Sequence, residues 1–441
     1  MNKQKWFDYA LSKGFDSFEI YQQTEEEKKV TYYEKEMESF VKSHVLGTSL
    51  RGLYHDKMAT ISTEDASDEN METLIDTMIE QAEATTTKDS GVILEAKETE
   101  EVRKEDRFVK PDAAQIDKLL KEIDDKLHAY DERVFQVTDM FYGEGASQRE
   151  ITNSKGMHVK DEGSQQVIVA GLAVKEGDEI KNDYNFELLY DANQVDTDAF
   201  VKKLADKALG KLHASSIPSN TYPVVIEKEA MTSLFTAFAG MFSGELIGKG
   251  LSPLKDKLNE KIFGDKVNVI DDPRNLEALD ISNYDDEGYP TFRKTLVENG
   301  VFRMMLHSTR SAMMMNAEST GNGFKQGYDS PVSVRPYNCY IQPGTLSFDE
   351  LLQQMNEGLV IDSFMGLHAG VNMASTDFSL QCSGYYVKDG KRDKSVTLIT
   401  AAGNFLELMK NVEEVGSDLE WKLNKIACPS ILFKGIAISG E

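Results

Sequence analysis

Residues 217–247, IPSNTYPVVIEKEAMTSLFTAFAGMFSGELI, determine how the rest of the chain divides. The first four residues combine a proline with two turn-forming polar residues, which interrupts a helical pattern over 196–214 and predicts the main domain boundary. Residues 223–226 predict a short strand. Over 228–247 the apolar residues recur at helical spacing, which predicts one long helix. Its apolar face consists of Met231, Leu234, Phe235, Phe238, Met241, Phe242 and Leu246.

The half of the chain before this segment mixes helical and strand-like patterns. Apolar residues have helical spacing at 2–13, 69–84, 112–130 and 196–214. Alternating, β-rich runs bounded by turn residues occur at 18–22, 28–63 and 133–191. The acidic stretch 95–106 predicts a solvated linker.

After residue 265, short strand-like runs dominate, with helical insertions near 347–356 and 404–412. The predicted fold class is therefore α+β, with an N-terminal α/β two-layer half followed by a β-rich, barrel- or sandwich-like C-terminal half. The predicted regions are 1–110 and 111–216, which we expect to form one N-terminal domain, and the C-terminal domain 217–441.

Composition excludes several classes of function. The formal net charge is -26 and the sequence pI is about 4.8, so the surface repels phosphate backbones and nucleic-acid binding is not expected. Three widely spaced cysteines, Cys339, Cys382 and Cys428, do not form a disulfide framework. The N-terminus lacks the apolar core of a signal peptide, and the clearest apolar run, 167–174, is too short to span a bilayer. These observations predict a cytoplasmic protein without a membrane partner.

Motifs for catalysis or metal binding are scarce. The chain has no His-Glu-x-x-His, Cys-x-x-Cys, Gly-x-Ser-x-Gly or P-loop segment. No two of its seven histidines lie within ten residues of each other, so no local zinc pair exists. The histidine best placed for a function is His368, in the glycine-rich loop 366–370.

Two further groups are candidates for substrate binding. Asp285 and Asp286 are paired acids that could bind a cation or transfer protons, although acids at turns also cap neighbouring backbone amides. Arg310 lies within a methionine-rich stretch, 304–315, whose flexible thioethers suit an adaptable peptide-binding surface but equally suit core packing.

A series of segments, taken in order, resembles the TldD/PmbA family of peptidase-related proteins. The segments are GTSLRG (47–52), ATIST (59–63), NSKG (153–156), DDP (271–273), DDEGYPT (285–291), LVENGV (296–301), STGN (319–322), GYYVKDG (384–390) and PSI (429–431). They cover nearly the whole chain, and the series is more specific than any one of its members.

The resemblance implies where a zinc site would lie. In this family the active member, TldD, has a His-Glu-x-x-x-His segment and a late cysteine as zinc ligands. In this chain the two histidine positions fall on Phe235 and Gly240, the glutamate position falls on Thr236, and the late cysteine position falls near Val415. Cys428 lies further downstream and does not match. Phe and Gly offer no lone pair to a metal and Thr cannot replace a carboxylate base, so the resemblance is to the PmbA (TldE) branch, without metal or catalytic residues of its own.

The family resemblance also implies a role. PmbA pairs with TldD in a peptidase associated with the maturation of modified peptides and the degradation of small unfolded proteins. A TldD-like partner would then supply the zinc, and this chain would present an edge strand or groove to an extended or unfolded peptide. Two alternatives stay open: a homodimeric peptide-binding protein without catalysis, and a hydrolase that uses His368 with Asp285 or Asp286. The family is also called a modulator of DNA gyrase, a name to which the acidic composition gives no direct support.

Overall fold

The computed structural model describes residues 1–33, 35–86, 91–97 and 99–441. The α+β prediction is confirmed, with 22% helix and 41% strand. Glu98, which belongs to the predicted acidic linker, lies outside the described residues. No helix in the described part of the chain is long and apolar enough to cross a membrane.

The described part of the N-terminal half contains six strands and four helices. In chain order they are α1 (Lys3–Ser12), β1 (Phe15–Tyr33), β2 (Glu36–Tyr54), β3 (Lys57–Thr63), α2 (Met71–Ala84), α3 (Ala113–Tyr130), β4 (Val134–Asn153), β5 (His158–Glu176), β6 (Glu179–Leu188) and α4 (Thr197–Leu209). The four predicted helices are thus all present, within a few residues of their predicted ends.

One antiparallel sheet of order β3-β2-β1-β4-β5-β6 unites residues 15–188. Successive side chains of a strand point to opposite faces, and on β1 the buried Phe18, Ile20, Val30 and Tyr32 share one face, against which the helices pack. The residues between them in the alternation, beginning with Glu19, point to the other face. The sheet therefore has a helical layer on one side and leaves the other side to the C-terminal half.

The C-terminal half contains thirteen strands and five helices within the described residues. In chain order they are β7 (Asn220–Ile226), α5 (Lys228–Phe238), α6 (Gly244–Gly248), β8 (Val269–Asp271), β9 (Lys294–Glu298), β10 (Val301–Phe302), α7 (Thr309–Met315), β11 (Gly323–Phe324), β12 (Ser333–Val334), β13 (Cys339–Ile341), α8 (Phe348–Met355), β14 (Gly358–Met365), β15 (Asp377–Lys388), β16 (Lys391–Asn404), α9 (Phe405–Lys410), β17 (Val412–Val415), β18 (Ile426–Ala427) and β19 (Ile431–Ser439).

The C-terminal half, predicted to be barrel- or sandwich-like, forms a barrel. Its largest sheet has the order β16-β15-β14-β7-β19-β17, and β16 also pairs with β19, which closes the sheet on itself. β7 and β14 are parallel, whereas the other neighbours in this sheet are antiparallel. Two smaller sheets, β10-β9-β8-β13-β18 and β11-β12, accompany the barrel.

The prediction of one continuous helix over 228–247 is wrong. α5 ends at Phe238, a 3-10 turn spans Ala239–Phe242, and α6 begins after Ser243, whose side chain accepts from the Leu246 amide at 3.4 Å. A Cβ atom at Gly240 would lie 2.9 Å from Met373 Sδ, so this turn fits its neighbour because residue 240 has no side chain. The apolar face itself is confirmed, since six of its seven residues are buried.

The stretch predicted as a solvated linker is attached to the C-terminal half. The Val102 amide and carbonyl both bond the Asn283 side chain, each at 2.9 Å. The Lys104 amine donates to the Leu276 carbonyl at 2.9 Å and also to that of Ala278. Most of the described charged residues of this segment are exposed, but the backbone of Val102 and the side chain of Lys104 attach it to the C-terminal half.

Candidate cleft between the two halves

A cleft of about 800 Å³ lies between the free face of the N-terminal sheet and the C-terminal half. Its volume is within the usual range for ligand sites. The sheet contributes Tyr21, Gln23, Ser147, Gln148, Arg149, Asp161, Glu162 and Gly163; the C-terminal half contributes Ser233, Thr236, Gly240, Asp280, Asp286, Phe324, Lys325, Arg335, Tyr337, Leu367 and Lys425, among others. The cleft therefore combines both halves of the chain with the segment singled out by the family resemblance.

α5 and the 3-10 turn that follows it present small residues to the cleft. Thr236 and Gly240 line it, together with Ser233 one turn earlier. Phe235 does not, because its ring is buried against Phe242 and Phe405 with centroids 6.4 and 6.2 Å away. The structure thus brings two of the three predicted family positions to the cleft and places the third in the core.

The residues around α5 do not fit a zinc ion. Ser233 and Thr236 offer hydroxyl groups, Gly240 offers no side chain, and a larger residue at position 240 would displace Met373, whereas zinc prefers imidazole, thiolate and carboxylate ligands. Among the described residues no three His, Cys, Asp or Glu side chains are grouped so that they could hold a metal ion.

The late cysteine position expected near Val415 is also not at the cleft. Val415 is buried on β17, where it pairs with Ile431 of β19. Cys428, set aside on sequence spacing, lies against α5, and its amide donates to Thr232 Oγ1 at 2.9 Å. Burial raises the pKa of Cys428, which favours its neutral thiol form.

His368 and Arg310 lie outside the cleft lining. His368 is exposed in the turn after β14, and only its neighbour Leu367 lines the cleft. Arg310 is exposed on α7. The structure does not bring His368 together with Asp285 or Asp286.

The paired acids Asp285 and Asp286 have different environments. Asp285 is fully buried and accepts from the amides of Glu287, Tyr289 and Gly323 at 2.9 to 3.0 Å, which is the turn-capping alternative. Burial, reinforced by Glu287, raises the pKa of Asp285 well above its ordinary value. Asp286 instead lines the cleft.

Arg149 ties the floor of the cleft to the C-terminal half. Its guanidinium donates to Asp286 at 2.7 Å, to Ser282 Oγ at 2.7 Å and to the Tyr284 carbonyl at 2.8 Å, and it also pairs with Asp161. The planar guanidinium donates in fixed directions, so several acceptors around it hold the side chain in one position. Arg149 therefore holds the two halves together at this point of the cleft.

Lys325 is, after Arg149, a second cation of the cleft that the sequence analysis did not identify as a candidate. Its amine donates to the Tyr328 carbonyl at 3.3 Å and lies 4.5 Å from the centre of the Tyr21 ring. Burial, together with repulsion from Arg51, lowers the pKa of Lys325 to about 8. Neither Arg149 nor Lys325 belongs to a sequence motif. Only their contacts between the two halves identify them as candidate site residues.

A second buried charge group joins the two halves beside the cleft. Arg51 of β2 pairs with Glu19 of β1 at 2.8 Å, and another of its nitrogens lies 3.7 Å from Glu287. Burial raises the pKa of Glu19 despite the pull of Arg51. Arg51 and Glu19 lie on the sheet face that the helices do not cover, and Glu287 belongs to the C-terminal half. That face of the sheet therefore contacts the C-terminal half.

Comparison with known proteins identifies the family. A model of the PmbA/TldA metallopeptidase C-terminal domain matches residues 219–440, and one of the PmbA/TldA metallopeptidase central domain matches residues 96–212. A metalloprotease of Methanothermobacter thermautotrophicus is 33% identical over 53% of this chain and 50% of its own length. The metalloprotease PmbA of Escherichia coli O157:H7 is 27% identical over 66% of this chain and 62% of its own length.

Solved structures extend the similarity to the whole fold. A proposed modulator of a DNA gyrase from Thermotoga maritima superposes with a TM-score of 0.88 at 28% identity, covering 99% of both chains. TldE from Thermococcus kodakarensis superposes with a TM-score of 0.90, covering 99% of this chain and 100% of that one; at 21% identity it shows the fold alone. With both domain models matched and the fold shared from end to end, the chain belongs to the TldD/PmbA family.

Proposed function

We propose that this protein is a zinc-less member of a TldD/PmbA-type peptidase system that binds an extended peptide in the cleft. A TldD-like partner subunit supplies the metal, and peptide maturation or the degradation of unfolded peptides is the outcome. The observation that supports this proposal is the surface that α5 and the turn after it present to the cleft, where Thr236 lies at the position expected for the general base and Gly240 at one expected for a metal ligand. The family name of its relatives, metalloprotease, agrees with a role in proteolysis.

The proposal requires that the isolated chain lack peptidase activity. Purified protein, dialysed against zinc and then against buffer, should retain no stoichiometric zinc by elemental analysis. It should cleave an unfolded fluorogenic peptide only after addition of the zinc-motif relative from the same organism. Retained zinc together with cleavage by the chain alone would refute the proposal.

A homodimeric peptide-binding protein is the second candidate, and one feature favours it. β2 is paired with β3 only from Thr48 to Tyr54, so its first part is an edge, and it exposes large apolar side chains there. Phe40 is 63% and Val41 is 56% exposed. An exposed apolar edge strand tends to pair with another chain. Size-exclusion chromatography with light scattering, with and without the zinc-motif relative, separates the two candidates: a self-dimer that the relative does not dissociate favours the second.

We also place the protein in the cytoplasm and expect no nucleic-acid partner. All three cysteines are buried and unpaired, as suits a reducing compartment. The net charge of -26 opposes binding to a phosphate backbone.

A further inference from the structure

We propose that the cleft binds its ligand through a carboxylate group, held by Lys325 and Arg335. This inference rests on the proposed peptide-binding role and adds the chemistry of recognition. A peptide offers a carboxylate either at its C-terminus or on an Asp or Glu side chain.

The acids that line the cleft are already neutralised. Asp286 and Asp161 both pair with Arg149, and Asp280 pairs with Lys425. The remaining acid, Glu162, pairs with Lys160 next to it on the sheet. An incoming cation would therefore have to compete with a bound lysine or arginine for each carboxylate.

Two cations of the lining have no such partner. Within the residues that the structure describes, neither Lys325 nor Arg335 forms an ion pair. The Lys325 amine donates to the Tyr328 carbonyl and lies over the Tyr21 ring, and the acids Asp286, Glu19 and Asp329 act on it only from beyond ion-pair distance. Arg335 is exposed at the cleft wall just after β12. In a chain with 75 acidic and 49 basic residues, the unpaired charges of this cleft are positive.

An anion would satisfy these two groups at little cost. The half-buried amine of Lys325 is disfavoured as a cation by its burial and by the nearby Arg51, and a carboxylate would offset both effects. The anionic group of an unmodified peptide is a carboxylate, so the proposed peptide-binding role selects this anion. Hydrogen bonds between charged groups are the stronger kind, so this contact would orient a peptide whose other contacts are uncharged.

The two sources of the carboxylate can be separated with short peptides of Ala, Ser and Gly labelled with an uncharged BODIPY fluorophore. One peptide has a free C-terminus, a second is amidated, and a third is amidated but contains an internal Glu. Binding is measured by fluorescence anisotropy on the isolated full chain. We expect the free-acid peptide or the Glu peptide to bind about tenfold or more tightly than the neutral peptide.

The protein variants test the residues. Lys325→Met and Arg335→Gln should each reduce the preference for a carboxylate about tenfold while leaving the weak binding of the neutral peptide unchanged. Lys325→Arg should restore it, and the control Lys255→Met, which changes an exposed lysine that does not line the cleft, should have no effect. Because Arg335 is exposed, its variant reports on binding even if a variant at position 325 folds poorly.

The outcomes are decisive for this inference and independent of the proposed assembly. A preference for the free C-terminus assigns the site to the peptide end, and a preference for Glu assigns it to a side chain. Equal affinity for all three peptides, or no binding of any, refutes the carboxylate site. Zinc content and partner-dependent cleavage are separate measurements, so either proposal can fail while the other stands.

Discussion

Arg149 lies where side chains from both halves of the protein meet. Its four acceptors are Asp161 on the N-terminal sheet and Asp286, Ser282 and the Tyr284 carbonyl on the C-terminal side. Asp286 is only 4% exposed, and among the described residues Arg149 is the cation with which it forms an ion pair. Removing one partner of a buried pair usually costs more than the pair contributes.

We therefore expect Arg149→Met to lower the free energy of unfolding by about 3 kcal/mol. The physical reason is that the buried carboxylate of Asp286 loses its charged partner and keeps the hydrogen bond from the Lys325 backbone amide at 2.6 Å. Urea denaturation followed by circular dichroism measures the change. Arg335→Met is the matched control and should change stability by less than about 0.5 kcal/mol, since that side chain is exposed and forms no ion pair with the residues that the structure describes. Equal losses in the two variants would contradict this account of the pair.

The environment of Lys325 predicts that peptide binding depends on pH. With a pKa of about 8, its amine loses its proton within an accessible range. The groups that face it are Arg51 of β2, Glu19 and Tyr21 of β1, and the acids Asp286 and Asp329. Of these, Arg51 stays charged and Tyr21 stays neutral over this range, because burial raises the pKa of Tyr21. Burial also raises the pKa of Glu19, so the contribution of the amine is isolated by comparison with Lys325→Arg, which keeps Glu19 and replaces only the lysine.

Affinity for the carboxylate peptide should consequently fall by up to about tenfold between pH 7 and pH 9, because only the protonated amine attracts an anion. Anisotropy titrations at a series of pH values measure this. In Lys325→Arg the guanidinium does not titrate, so its profile should be flat. A profile for the unmodified protein that is equally flat would show that the amine does not contact the ligand.

At the scale of elements, α5 is a packing helix whose opposite side faces the cleft. Phe238 is fully buried and stacks on Phe405, with ring centroids 4.4 Å apart and planes 16° from parallel. Thr236, on the cleft side, is exposed and donates to the Thr232 carbonyl at 2.7 Å. One helix therefore serves the core and the site with different residues.

Phe238→Ala should lower the free energy of unfolding by about 3–5 kcal/mol, through lost apolar burial and the cavity that remains. Thr236→Ala, two residues away on the same helix, should change it by less than about 0.5 kcal/mol. Chemical denaturation of both variants gives the comparison. If the two losses were similar, the division of α5 into a packing side and a cleft side would be wrong.

The same helix shows what could be predicted from the sequence. The spacing of Met231, Leu234, Phe235 and Phe238 identified the buried face correctly, because burial of one side is what that spacing reflects. The end of α5 at Phe238 could not be predicted, because apolar residues continue at helical spacing through Phe242. The break depends on tertiary contacts, including the approach of Met373 to the turn, and local periodicity does not contain such contacts.

The cleft was less predictable than the fold, and the reason is distance along the chain. Asp286 was recognised as a candidate from its acidic neighbour, but its partner Arg149 lies 137 positions earlier. Lys325 meets Tyr21 of β1 across a still longer separation. No spacing rule relates such residues, so the cations of the cleft emerge only once the sheet and the C-terminal half are placed together.

At the scale of the whole molecule, buried charges couple the two halves. Arg51 contacts Glu19 within the N-terminal sheet and lies near Glu287 of the C-terminal half. The chain has two tryptophans, one in each half. Trp6 is fully buried and bonds Asp68 at 2.8 Å, and Trp421 packs against Tyr340 with ring centroids 5.8 Å apart.

Single-tryptophan variants should therefore report one shared unfolding transition. Trp421→Phe leaves Trp6 as a fluorescent reporter of the N-terminal half, and Trp6→Phe leaves Trp421 as a reporter of the C-terminal half. In each variant, the urea midpoint measured by fluorescence should coincide with the midpoint measured by circular dichroism. In the Arg51→Met background the fluorescence midpoints of the two reporters should separate, because Glu19 and Glu287 then meet without the intervening cation. Separate midpoints before that substitution would show that the halves are not coupled by these ions.

The position of β19 within the barrel has a consequence for synthesis on the ribosome. This strand, the last of the described elements, lies between β7 and β17 and also closes the ring against β16. While the nascent chain is still being elongated, the first barrel strand has no neighbour on one side until more than two hundred further residues have emerged. The N-terminal sheet, complete by residue 188, can form much earlier, so translation itself sets an order in which the open sheet comes first and the closed barrel forms only at the end.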